Sequence, residues 1–135
     1  MNIFYGRCST LKQKNSISVQ MDLVSNYCST NDMVLDKIII DDGVSGKTQN
    51  REGITEVMDL VKDNKVENLI VLSLSRFGRS FIDNYKSVQI LKKYNTNFIS
   101  LKENIDLSTS MGVFNFNIFS SIYELEISNL SERTS

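Results

Sequence analysis

The sequence predicts an α/β fold: a mainly parallel sheet of four or five strands flanked by helices, with a long C-terminal helix suited to dimerisation. Three observations predict it. Short apolar runs alternate with longer segments of helical period. The stretches richest in unusual side chains, RCST, DDGVSG and SRFGRS, each follow an apolar run, and in such folds reactive groups collect beyond the carboxyl ends of strands. From Ser110 onward, bulky apolar residues cover more than one stripe of a helix.

Each element has its own signal. NIFYGRC, residues 2–8, is a bulky apolar run and predicts a strand. Segment 16–31 places Ile17, Met21, Val24 and Cys28 at helical spacing, with Ser16 as a candidate N-cap. VLDKIIID predicts the second strand, closed by the loop DGVSGKTQN; the pair Asp41 and Asp42 reads as loop punctuation. In segment 53–64, Ile54, Val57, Met58 and Val61 share one helix face. NLIVLSLS, residues 68–75, is the most continuous apolar run and predicts a central strand. FIDNYKSVQILKKYN predicts a helix and TNFISLK a strand.

The last helix carries Val113, Phe114, Phe116, Ile118, Phe119, Ile122, Tyr123, Leu125 and Ile127. One stripe of these can pack on the domain. The rest calls for a second partner, and another copy of the chain is the simplest one. The competing arrangement is a core helix wrapped on all sides, against which the charged tail ELEISNLSERTS argues.

Composition narrows the function. A chain of 135 residues with 41% hydrophobic and 23% charged residues is the size and make-up of one globular domain. No 18-residue apolar run and no secretory leader is visible, so a cytoplasmic protein without a membrane span is expected. The two cysteines, Cys8 and Cys28, make no disulfide framework. Histidine is absent, which excludes His-dependent triads and His-containing zinc sites, and no acidic cluster reads as a metal site. A net charge of −1 argues against a broad nucleic-acid surface but leaves room for a local basic site.

The arginines mark that site. Ten lysines are scattered over helix faces and loops; the five arginines, Arg7, Arg51, Arg76, Arg79 and Arg133, are not. Arg7 stands two residues before Ser9, Arg76 and Arg79 share the turn SRFGRS, and Arg51 follows the glycine-containing loop. Guanidinium forks bind phosphate oxygens in pairs, and lysine cannot replace that geometry. The strand-end rule puts Arg7, Arg76 and Arg79 on one side of the sheet. A hydroxyl among them is a candidate nucleophile toward a phosphodiester, with the cations stabilising the transition state. The rival readings are a turn-capping hydroxyl for Ser9, a surface ion pair for Arg51, and a solvated helix face for Gln20. Cys8 reads as a packing residue; as an Arg7-activated thiol it lacks the arginine six residues on that a phosphatase loop needs, because Lys14 stands there.

YGRCST, DDGVSGKTQNREGI, LIVLSLSRFGRS, ISLKENIDLSTSMG and YELEISNLSERT resemble, in order, the motifs of the serine recombinase catalytic domain. That family includes resolvases, invertases and the large serine integrases, and the likeness spans almost the whole chain. The resemblance implies attack of a serine hydroxyl on a DNA backbone phosphate, a 5′-phosphoserine intermediate, strand exchange within a tetramer, and religation without metal or other cofactor. It assigns the nucleophile to Ser9 and phosphate binding to Arg7, Arg51, Arg76 and Arg79. Gln20 and Ser45 match residues near that site, and Glu132 and Arg133 match the Glu-Arg pair on the family's long dimerisation helix. It implies a catalytic α/β domain over residues 1–109, the start of a helix for dimerisation and DNA approach over 110–135, and a C-terminal DNA-binding region beyond this chain. DNA and a homodimer, tetrameric in the synaptic complex, are the implied partners.

The chain departs from the pattern at three positions. Ser75 stands where an aspartate is usual, which touches proton transfer at the site; Ile127 stands where arginine is common; Cys8 replaces a small apolar residue. The alternative function is therefore a degenerate, dimerising regulatory module associated with DNA. A receiver-like signalling domain, built on Asp41, Asp42 and Lys102, fails because Ser75 stands where the phosphoacceptor aspartate would end the central strand.

Overall fold

The computed structural model describes residues 1–8, 14–42, 52–78 and 80–134. In chain order these form β1 (Asn2–Cys8), α1 (Lys14–Thr30), β2 (Lys37–Asp42), α2 (Glu52–Lys62) and β3 (Asn68–Val71). There follow a one-turn 3-10 helix (Leu74–Arg76), α3 (Phe81–Lys93), β4 (Asn97–Ser100), β5 (Ile105–Asp106) and α4 (Ser110–Thr134). The strands make one sheet in the order β2-β1-β3-β4-β5, parallel except for β5, which runs antiparallel to β4. β3 is therefore central, as its unbroken apolar run predicts.

Alternation along the strands decides which face each side chain enters. Ile3, Tyr5, Leu69, Val71 and Phe98 go into one core with Val57 and Val61 of α2, Val88 and Leu91 of α3, and Phe116 of α4. Phe4, Ile70 and Ile99 go to the other face and meet Val24 and Cys28 of α1. With both faces covered, the central strands have no polar side, which is why they read as continuous apolar runs.

The boundaries differ from expectation in two places. α1 begins at Lys14, so Ser16 lies in its first turn rather than at the cap. The apolar run 68–75 is not one strand: β3 stops at Val71, and Leu74–Arg76 winds into the 3-10 turn. Apolar periodicity cannot separate a buried strand from a buried turn that follows it.

Helix ends use asparagine and aspartate in the left-handed region where glycine is commoner. Asn64 (φ 58°) follows α2, and the paired bonds Lys65 N to Leu60 O (3.1 Å) and Asn64 N to Val61 O (3.0 Å) close a Schellman motif. Asn95 (φ 59°) does the same after α3.

A polar ladder crosses the amino ends of the strands. Asn68 Nδ2 donates to Asn2 Oδ1 (2.9 Å), and Asn97 Nδ2 donates to Asn68 Oδ1 (3.1 Å) and Asp106 Oδ1 (2.8 Å). The three asparagines are register partners, so the ladder holds the parallel strands in phase. Burial alone would raise the Asp106 carboxyl, but donation from Ser108 Oγ, Asn97 Nδ2 and Ser108 N outweighs it and holds the group below its ordinary range. A lowered folded value contributes stability above the unfolded value of about 3.9 and loses it as pH falls through the folded one. Thermal unfolding scans between pH 6 and pH 2 are thus expected to show an acid-side loss that Asp106→Asn reduces. An unchanged pH profile in that variant would remove Asp106 from the account.

α4 starts at Ser110, where the sequence puts it. It rests on α3 through aromatic rings: Phe116 lies 5.7 Å from Phe81 and 6.3 Å from Tyr85, and Tyr123 lies 5.5 Å from Phe81 (ring centroids). Phe114, Ile118, Ile122 and Leu125 remain exposed on it, a stripe at spacings of four, four and three. Among the described residues no helix is long and apolar enough to cross a membrane.

Candidate active site

β1 and β3 are neighbouring parallel strands, so their carboxyl ends open on the same side of the sheet. There the chain brings two arginines together from 69 positions apart. Arg76 Nη1 donates to the backbone oxygen of Arg7 at 2.7 Å, and Arg7 Nη2 donates to the backbone oxygen of Ser75 at 2.7 Å. The Arg76 guanidinium grips the main chain of Arg7, and the Arg7 guanidinium grips the residue before Arg76.

The electrostatics of this pair are unbalanced. The ion pair among the described residues is Lys37 with Glu56 (2.8 Å), and neither arginine makes an ion pair with a described carboxylate. Both side chains are half-buried. A guanidinium has five N–H donors, and these two bonds use one of each. Two adjacent permanent cations with spare donors make a site for a doubly coordinated anion such as a phosphodiester.

Of the residues singled out by sequence, the structure joins Arg7, Arg76 and Ser75, and sets Gln20 against the neighbouring Gly6. Ser75 gives its carbonyl to Arg7, and its hydroxyl lies 3.0 Å from that of Ser73. Gln20 is buried, not solvated: it is 3% exposed, and a Cβ placed on Gly6 would lie 3.3 Å from its Oε1. That sets it against β1, one residue before Arg7. Ser9, Ser45, Arg51 and Arg79 lie outside the described residues, as do the side chains of Cys8, Glu132 and Arg133.

Sequence reasoning missed the scaffold under the site. Asp41 is not loop punctuation. It is 5% exposed at the end of β2 and accepts three hydrogen bonds: from Tyr5 Oη (2.7 Å), Gly53 N (2.6 Å) and Ile54 N (3.0 Å). A carboxylate at the first amides of α2 satisfies donors that the helix cannot and favours its dipole. The bond ties the start of α2, immediately after Arg51, to β1 and β2. The approach leaves no room at Gly53, where a Cβ would sit 2.6 Å from Asp41 Oδ1. Nothing in the local spacing signals this, because the partners are 12, 13 and 36 residues away.

Leu74, which opens the turn bearing Arg76, is also gripped from a distance. Its N–H meets both oxygens of Glu103 (3.2 and 3.3 Å), and its carbonyl accepts from Asn84 Nδ2 (2.9 Å).

Known proteins share this framework. The family model described as Resolvase, N terminal domain matches residues 2–135. Transposon Tn917 resolvase of Enterococcus faecalis is 31% identical over 130 residues, covering 96% of this chain and 65% of its own. DNA-invertase hin of Salmonella typhimurium is 35% identical over 133 residues, covering 98% and 64%. Among solved structures, the N-terminal catalytic domain of TP901-1 integrase superposes with a TM-score of 0.77 at 28% identity, over 94% of this chain and 96% of that one. A resolvase family site-specific recombinase from Streptococcus pneumoniae gives 0.78 at 28% identity, over 98% and 91%. The chain thus spans just under two thirds of the length of these two curated relatives, 65% and 64%.

Proposed function

The chain belongs to the resolvase family of serine recombinases, and on that premise we propose that it is the catalytic domain of a site-specific DNA recombinase. The observation that carries the reading is the linked pair Arg7 and Arg76, with spare guanidinium donors at one strand end and Arg7 two residues before Ser9 in sequence.

In this reading the Ser9 hydroxyl oxygen attacks a backbone phosphorus of DNA. The new bond joins phosphorus to serine, and the 3′ oxygen leaves and takes up a proton as a hydroxyl. Arg7 and Arg76, joined by Arg51 and Arg79, neutralise the charge that builds on the equatorial oxygens. Ser45, Ser75, Glu132 and Arg133 line the path of the phosphate backbone, and Gln20, buried beside Gly6, supports β1 next to it. Phosphodiester energy is kept in the phosphoserine, so the reverse attack by a 3′ hydroxyl of another strand religates without ATP or metal. Strand exchange requires several subunits. The exposed stripe Phe114, Ile118, Ile122 and Leu125 on α4 supports a homodimer, with a tetramer in the synaptic complex. The acidic balance of this chain leaves most of the DNA affinity and sequence choice to a further segment of the intact protein.

Covalent capture tests the proposal. The intact protein is expected to form an adduct with a nicked suicide substrate, and Ser9→Ala is expected to form none. An adduct that persists in Ser9→Ala moves the nucleophile elsewhere. No adduct from the wild type on its own recombination site favours the degenerate regulatory module.

A further inference from the structure

We propose that Glu103 is a positioning residue for Arg76, acting through the Leu74 peptide; the catalytic consequence rests on the recombinase reading. Arg76 sits in a single 3-10 turn, closed by Arg76 N to Ser73 O (3.1 Å) and Phe77 N to Leu74 O (3.1 Å). One such turn has almost no stability of its own, so its orientation comes from what holds it.

The hold converges on Leu74. Both oxygens of Glu103 accept its N–H, and the Asn84 amide donates to its carbonyl. The anchors are themselves fixed. Ser100, 1% exposed at the end of β4, donates to Glu103 Oε1 at 2.5 Å. The turn that carries Glu103 is tied to the end of β3 through Leu101 N to Val71 O (3.1 Å) and Lys102 N to Leu72 O (2.9 Å). Asn84 is 3% exposed on α3, and its Oδ1 has no hydrogen-bond partner among the described residues. An amide held with one end unpaired in the interior is held for its other end, the donor to Leu74.

β4, its following turn and α3 thus fix a backbone unit two residues before Arg76. From there the side chain must reach the Arg7 carbonyl at 2.7 Å. A carboxylate accepting a backbone N–H is a charge-assisted bond, and a small displacement of a guanidinium from a reacting phosphate is costly.

The test uses the intact protein and the suicide substrate under single-turnover conditions. Glu103→Ala is expected to slow adduct formation about tenfold to a hundredfold while leaving DNA affinity unchanged. Glu103→Gln is expected to recover most of the rate, because its amide oxygen still accepts from Leu74 N–H. The Arg76 Nε–Hε signal in a 15N spectrum is expected to move in Glu103→Ala and to return toward its wild-type position in Glu103→Gln. Should Glu103→Ala not fold, Ser100→Ala, which only loosens the carboxylate, is expected to show the same changes in weaker form. A wild-type rate in the alanine variant, an equal loss in the glutamine variant, or an unmoved Arg76 signal would each overturn the proposal. A wild type that forms no adduct overturns the recombinase reading instead, and the Arg76 signal then decides the clamp by itself.

Discussion

Arg76→Ala is expected to lower the rate of covalent adduct formation on a suicide DNA substrate by about a hundredfold to a thousandfold, with the fold retained. The rate effect follows from its place. The guanidinium stands at the carboxyl end of β1 beside Arg7, with no described carboxylate to neutralise it. Removing one preorganised donor from a developing oxyanion costs about that much in other enzymes. The fold is retained because the side chain makes one bond within the described protein, to the Arg7 carbonyl, on the order of 1 kcal/mol net. Arg76→Lys is expected to be almost as damaging, since an ammonium keeps the charge and loses the fork. Single-turnover cleavage together with a thermal melt separates the two effects. Near-normal cleavage by Arg76→Ala would remove the phosphate role from this residue.

Gly112→Ala is expected to unfold the protein at a markedly lower temperature and, on the proposed dimerisation through α4, to weaken self-association. Gly112 is buried in the first turn of α4, and a Cβ there would lie 1.9 Å from the backbone oxygen of Asp106. That oxygen is not free to give way, because it accepts from Thr109 N (2.9 Å) and Thr109 Oγ1 (2.8 Å). The helix must therefore move off β5, loosening Phe116, which is 2% exposed. Alanine gains about 1 kcal/mol in helix propensity over glycine. Overpacking costs about 1–3 kcal/mol or more, and a clash with backbone belongs at the upper end. The net loss of about 2 kcal/mol corresponds to a fall in Tm of roughly 4–8 °C. Sedimentation would follow the second effect, because the same shift displaces the apolar stripe on α4. A variant that melts higher than the wild type would show that α4 does not press on β5.

How much was legible in the sequence depends on how far each feature reaches along the chain. Periodicity placed all four helices and the four parallel strands, because burial on one helical face or on both sheet faces imposes a local pattern. It missed β5, two residues long, whose antiparallel pairing with β4 has too short a pattern to register. It also ran β3 on into the 3-10 turn. The choice of arginine over lysine pointed to Arg7 and Arg76 before any fold was known, and five motifs in order carried the family.

By itself, then, the sequence determined the layers, the centre of the sheet and the surplus apolar face of α4, and it pointed to Arg7 and Arg76 as candidates for holding a phosphate. Tertiary structure alone decided what holds those residues still: Asp41 beneath the start of α2, Gln20 buried beside Gly6, and Glu103 with Asn84 on the Leu74 peptide. The physical reason is range. Helical and strand periods repeat every two to four residues and show in any short window, whereas these hydrogen bonds pair side chains with backbone groups 10 to 29 positions away. Only the closed fold brings those partners together.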